Sequence, residues 1–200
     1  MKTREAMSVV AAHRGNAVAV CALGMASNEW WQATKSEETF YMHGAMGFAA
    51  SFALGLALMA PDVPVLLLNA DGSLCMNLGC LLTEAQQAPS NLKHFVVDNQ
   101  VYQTVSAVPM VNSGRTDYAG LARAAGIART LTIDNVPDLE QAMPGIMASS
   151  GPYFVVLRVE AEPAYLEVPP NDYEGAEIKY RFGRAMEKRL GVKIFGPSGY

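Results

Sequence analysis

Apolar and polar positions along the chain fall into two alternating patterns. Predominantly apolar segments of strand length occur at residues 17–22, 63–68, 95–97, 131–133 and 153–159. Longer segments with helical spacing lie among them: 1–12, with Ala6, Val9 and Val10 on one side, then 45–60, 76–87, 118–126 and 136–149. Helix 136–149 starts near Pro137-Asp138, and Pro89-Ser90-Asn91 stops the one before the third run. Strands alternating with helices at these lengths predict an α/β fold: a doubly wound, mostly parallel sheet with helices on both faces. Residues 161–173 form a Pro-rich connector, and beyond it Ile178, Phe182, Met186 and Leu190 recur every fourth position as a helix stripe. That stripe buries itself either on this domain or on a partner. Its flanking Lys179, Arg181, Arg184, Lys188 and Arg189 read by default as a solvated face.

Composition narrows the class. The 200 residues are half hydrophobic and 17% charged, which fits one domain over 1–160 with an appendage over 161–200. A net charge of −4 gives no reason to expect nucleic acid or an anionic membrane. Cys21, Cys75 and Cys80 are an odd number without signature spacing, so no disulfide framework is expected. The start of the chain lacks the apolar core of a signal peptide, and residues 45–60 are too short to span a bilayer. The expectation is a cytoplasmic protein.

The chemistry gathers between residues 69 and 102. The second apolar run stops on Asp71-Gly72-Ser73 and the third on Asp98-Asn99, with one crossover helix between them. In a parallel sheet both stops lie at the carboxyl edge, where open α/β sheets bind ligands. A carboxylate and an amide oxygen are hard ligands suited to Mg²⁺ or Ca²⁺. Gly72 and Ser73 offer backbone N–H groups to an anion, so the combination reads as a diphosphate site. Glu84, on the crossover helix, is expected to face solvent or an interface, and Cys75 and Cys80 to pack.

These residues carry a resemblance. Asp71-Gly72-Ser73, then Met76-Asn77-Leu78-Gly79, then Asp98-Asn99 resembles the thiamine diphosphate motif of the decarboxylase and acetolactate synthase superfamily. A second block, His43-Gly44-Ala45-Met46-Gly47, resembles the Gly-Ser-Met-Gly segment of sulfopyruvate and phosphonopyruvate decarboxylases. The resemblance covers about residues 15–160. It implies that Asp71, Asn99 and the main-chain carbonyl of Val101 bind Mg²⁺, and that Gly72 and Ser73 hold the diphosphate. The Gly44 carbonyl would accept from the aminopyrimidine, and Met46 would prop the bent cofactor. Gly24 opens a turn over the diphosphate, where Met25 and Ala26 leave Ser27 or backbone amides as the phosphate contacts; the alternative is a plain turn with Ser27 as N-cap. Tyr102 lines the site. His43 is either structural or a proton donor, and the loop 104–117 either a lid or an ordinary connection.

What the resemblance implies for function follows. Thiamine diphosphate supplies a C2 carbanion that attacks a 2-oxo acid and holds the electrons released with CO₂. The activating glutamate belongs to a pyrimidine-binding domain that this chain lacks, so no catalytic residue is assigned here. The expected partner is an alpha subunit carrying that glutamate, in a hetero-oligomer of at least two alpha and two beta chains, this chain being the beta subunit. An acetolactate synthase-like carboligase subunit, a non-catalytic structural or regulatory subunit, and a flavodoxin-like or nucleotide-binding domain are the rival readings. Two departures stand out: Ala70 replaces the first glycine of Gly-Asp-Gly, which requires a negative φ there, and the loop after Tyr102 lacks a Gly-rich run.

Overall fold

The computed structural model describes residues 1–162 and 168–196. Six strands, β1 (Val18–Cys21), β2 (Thr39–Tyr41), β3 (Val65–Ala70), β4 (Leu92–Asp98), β7 (Arg129–Ile133) and β8 (Tyr153–Arg158), form one sheet. Their order is β2-β1-β3-β4-β8-β7 and every pairing is parallel. A separate antiparallel hairpin joins β5 (Val101–Tyr102) to β6 (Val108–Pro109).

Side chains alternate between two apolar layers. On β3, Val65 and Leu67 face α3 (Ala49–Met59), α5 (Cys80–Gln87) and α6 (Tyr118–Ala125), whereas Leu66 and Leu68 face α1 (Thr3–Ala12), α2 (Met25–Thr34) and α7 (Val136–Ala148). Burial on both faces is why the strands read as continuous apolar runs. Each fully buried leucine contributes roughly 1.5–3 kcal/mol. Local sequence sets the ends. Asp117 caps α6 by accepting from Gly120 N at 2.8 Å, and Asn135 caps α7 by accepting from Asp138 N at 2.9 Å. The Asn91 amide fastens the end of α3 to the start of β4 through the carbonyls of Ala57, Ala60 and Val63.

All five apolar runs become strands, and β2 is an addition too short to stand out in the sequence. One expected helix divides. Instead of running over 76–87, the segment forms α4 (Asp71–Cys75) and α5, with a tight turn between. The Asn77 amide donates to the Gly47 carbonyl at 3.1 Å, which pulls that turn onto the 43–48 loop.

At the other end, α8 (Gly175–Leu190) lies over the edge strand β2. Its stripe is buried on this chain at Ile178, Phe182 and Met186 but not at Leu190. Phe182 meets Phe40 edge-on at 5.5 Å. The basic flank is not all solvated: Arg181 pairs with Glu37 at 2.6 Å and Arg189 with Glu38 at 2.9 Å. Covering β2 in this way shields an otherwise free strand edge. Part of the Pro-rich connector, 163–167, lies outside the described residues. Among those described, no helix is long and apolar enough to cross a membrane.

Candidate functional site

The chain leaves β1 for β2 on one side, and β3 continues to β4 on the other, so the winding of the sheet reverses between β1 and β3. At that reversal the carboxyl ends diverge and leave a crevice. A half-open cleft of about 480 Å³, mouth included, occupies it. Its walls come from the β1 exit (Leu23, Gly24), the first turn of α2 (Met25, Ala26) and the β3 exit (Ala70, Asp71, Gly72). The β4 exit (Val97, Asn99), the hairpin residues 101–104, Met46 and Thr3 complete it.

Asp71 and Asn99 sit at neighbouring strand ends because β3 and β4 pair in register through Ala70 and Val97. The Asp71 carboxylate is 3% exposed. Its Oδ1 accepts from Gly72 N and its Oδ2 from Gln100 N, both at 2.7 Å. Burial pushes its carboxyl up to about 7; the two backbone N–H groups oppose that rise and nearby Asp98 adds to it. Burial also raises Asp98, against the Arg158 guanidinium 3.4 Å away. Asn99 is held on both sides: its amide donates to Gln103 Oε1 at 2.9 Å, and its Oδ1 accepts from Val101 N at 3.1 Å.

These residues fit a hard divalent cation. Each Asp71 oxygen takes one backbone hydrogen bond and keeps a lone pair, as does Asn99 Oδ1. Asp98 Oδ1 is buried without a partner among the described residues. Two buried carboxyl groups side by side form a site whose repulsion a cation relieves. Among the described residues no three His, Cys, Asp or Glu side chains cluster as a metal cage. A carboxylate and an amide oxygen are instead donor types of the partial shell that phosphates and water complete around Mg²⁺.

The remaining expected residues divide. Gly24 has φ +114 and is the N-cap of α2, so the capping role falls to it and not to Ser27. Ser27 is buried at 3% exposure within the first turn and does not line the cleft. The α2 amides over Met25 and Ala26 border the cleft with no side-chain cap. Gly72 and Tyr102 line it, whereas Ser73 turns inward and accepts from Gly47 N at 3.2 Å. Met46 packs on Gly72: a Cβ placed there would lie 2.8 Å from Met46 Cε and 2.9 Å from Tyr102 Cε1. Gly44 is exposed on the loop before α3 with φ +70, and His43 beside it lies 3.5 Å from the Asn171 amide. Val101 lines the cleft from the hairpin.

Two features were not anticipated. Gln103 both orients Asn99 and donates to the Glu162 carbonyl. Glu84, expected at the surface, is 1% exposed and bonds to His94 Nδ1 at 2.8 Å. That correction follows from the register of α5, which turns Cys80, Leu81 and Glu84 toward the sheet. Cys75 lies 3.2 Å from the Tyr118 hydroxyl, Cys80 is in the core, and all three cysteines are free thiols.

Residues 19–157, from β1 to β8, match the thiamine pyrophosphate enzyme C-terminal TPP binding domain. The chain belongs to this family. It is 36% identical over 163 residues to the sulfopyruvate decarboxylase subunit beta of Methanothermobacter thermautotrophicus, covering 82% of this chain and 83% of that one. It is also 36% identical over 143 residues to the phosphonopyruvate decarboxylase of Streptomyces hygroscopicus, covering 72% of this chain. This chain spans only 35% of the length of that second relative. The fold superposes on the Rhodococcus jostii thiamine diphosphate-dependent 4-hydroxybenzoylformate decarboxylase with TM-score 0.71 at 20% identity, over 82% of this chain and 33% of that one.

Within this TPP binding domain the two departures have physical answers. Ala70 has φ −114 and ψ 152, extended backbone that alanine adopts freely, so the missing glycine costs nothing there. The loop after Tyr102 folds as the β5–β6 hairpin, and its turn places Ser106 at φ +61 and Ala107 at φ +52. Left-handed backbone that glycine would take without strain is here held by two residues with a Cβ.

Proposed function

We propose that this chain is the cofactor-binding beta subunit of a two-chain decarboxylase acting on a short anionic 2-oxo acid of the sulfopyruvate or phosphonopyruvate kind. The observation that carries the reading is the pairing of Asp71 and Asn99 across the ends of β3 and β4 at the winding reversal. The likeness to a named beta subunit over most of both chains supports it. Mg²⁺ is held by the Asp71 carboxylate, the Asn99 amide oxygen and the Val101 carbonyl, and the diphosphate meets the amides of α2, since the Gly72 N–H is already given to Asp71 Oδ1. Gly44 and Met46 face the pyrimidine end. Thiamine diphosphate, when bound, supplies the electron sink for cleaving the bond to the carboxylate, which gives CO₂ and an aldehyde after uptake of one proton. The chain's own part is to fix the cofactor's charged end, to keep Met46 and Tyr102 against it, and to exclude water from the inner wall.

A partner completes the site. Phe48, Met59, Met76, Leu78 and Leu82 are 65%, 84%, 58%, 39% and 63% exposed, and these residues of α3, α5 and the turns beside them leave large apolar side chains in solvent. Exposed large apolar side chains of this kind mark interaction surfaces, and Phe48 belongs to the 43–48 loop itself. The occupant is the pyrimidine-binding alpha subunit that brings the activating glutamate.

Release of CO₂ from 3-sulfopyruvate and 3-phosphonopyruvate tests the reading. Turnover is expected from the chain co-purified with its partner in Mg²⁺ and thiamine diphosphate, and essentially none from the chain alone. Carboligated products in place of free aldehyde, or no turnover from any 2-oxo acid, would contradict it.

A further inference from the structure

Away from the cleft, three buried polar side chains form one hydrogen-bonded chain that the chemistry above does not use. Glu84, His94 and Asn69 are all 1% exposed or less, on α5, β4 and β3 respectively. Asn69 Oδ1 is committed to the Ala70 N–H at 3.0 Å. Its amide NH₂ therefore faces His94 Nε2 at 3.2 Å, which makes that nitrogen the acceptor. The proton sits on Nδ1 and is donated to Glu84 Oε2 at 2.8 Å. Phe154 packs edge-on against the imidazole at 4.7 Å and fixes its plane. The other carboxyl oxygen, Glu84 Oε1, is buried without a partner among the described residues.

Stability does not account for this arrangement. An unpartnered buried oxygen costs free energy, and a buried ionisable pair is often matched or exceeded by apolar residues of equal size. What the chain does achieve is a link between β3 and β4, whose carboxyl ends both wall the cleft, and α5, which packs behind them without lining it. Asn69 lies two residues before Asp71 and holds the N–H of Ala70, the residue between them. His94 stands on β4, whose end leads directly into Asn99. Glu84 belongs to the helix that follows Gly72 and Ser73 through the turn at 76–79.

We propose that Glu84, His94 and Asn69 are positioning residues that set the spacing between the β3 and β4 ends, and so tune the affinity of the Asp71–Asn99 site for its divalent ion. The proposal rests on the reading of those two residues as metal ligands. Groups that orient ligands from outside the coordination shell typically change metal affinity by about 10–100-fold.

The test is calorimetric titration of Mg²⁺ into the full chain, in its purified assembly and saturated with thiamine diphosphate, alongside thermal melts of the metal-free protein. The double variant Glu84→Leu with His94→Leu replaces the pair by side chains of similar volume. It should melt at or above the wild-type temperature while binding Mg²⁺ about 10–100-fold more weakly. Asn69→Ala leaves the Glu84–His94 pair intact and gives a second reading should the double variant not fold; a loss of about 10-fold is expected. Wild-type Mg²⁺ affinity in a folded double variant, or in Asn69→Ala, would overturn the proposal. Absence of Mg²⁺ binding by the wild-type assembly is a different result, and it would overturn the metal-site reading itself.

Discussion

Asp71 gathers the site around one carboxylate. Two backbone amides and a neighbouring acid crowd it, and the bonds it accepts fix the start of α4 and the Gln100 corner together. Gly72 beside it leaves no room for a side chain. Gly72→Ala would drive a methyl into the tip of Met46, which is flexible, and the ring of Tyr102, which is not. Overpacking of this sort costs about 1–3 kcal/mol, so urea unfolding should show a loss in that range, partly recovered by adding Tyr102→Leu. Asp71, Asn99 and their common edge were legible from the sequence because an apolar run ending in a polar oxygen is a local signal. Glu84 was not. Its spacing from Cys80 put it on the buried stripe, yet a carboxylate is rarely buried without a partner, and that partner, His94, is ten positions on and on another element.

At the scale of elements, strand positions were readable and the helix after β3 was not, because its break depends on a tertiary bond from Asn77 to Gly47. The hairpin after Tyr102 was read only as a loop: pairing of two residues a side gives little periodicity to see. Its turn is strained at Ser106 and Ala107. Relief of a left-handed alanine is worth about 1 kcal/mol, so Ala107→Gly should raise the urea midpoint by a corresponding amount. The stripe of α8 was visible, whereas its destination was left open; β2 and Phe40 supply it. Phe182→Ala should cost about 3–5 kcal/mol by the same unfolding measurement, a loss that a helix docked only on a partner would not produce in the isolated chain.

For the whole molecule, the winding reversal between β1 and β3 sets where the cleft lies, and the exposed apolar face of α3 and α5 sets which side is left for a partner. Leu82→Asp tests that assignment. It should abolish co-sedimentation with the proposed alpha subunit and leave the melting temperature of this chain nearly unchanged, since Leu82 is already in solvent. The central claim is that Asp71 and Asn99 hold a metal-bound diphosphate. Calorimetric titration of thiamine diphosphate into the purified assembly, with and without Mg²⁺, measures this most directly. Binding that requires Mg²⁺ and disappears in Asp71→Ala is the predicted result. Equal binding without the metal, or undiminished binding in Asp71→Ala, would contradict the account.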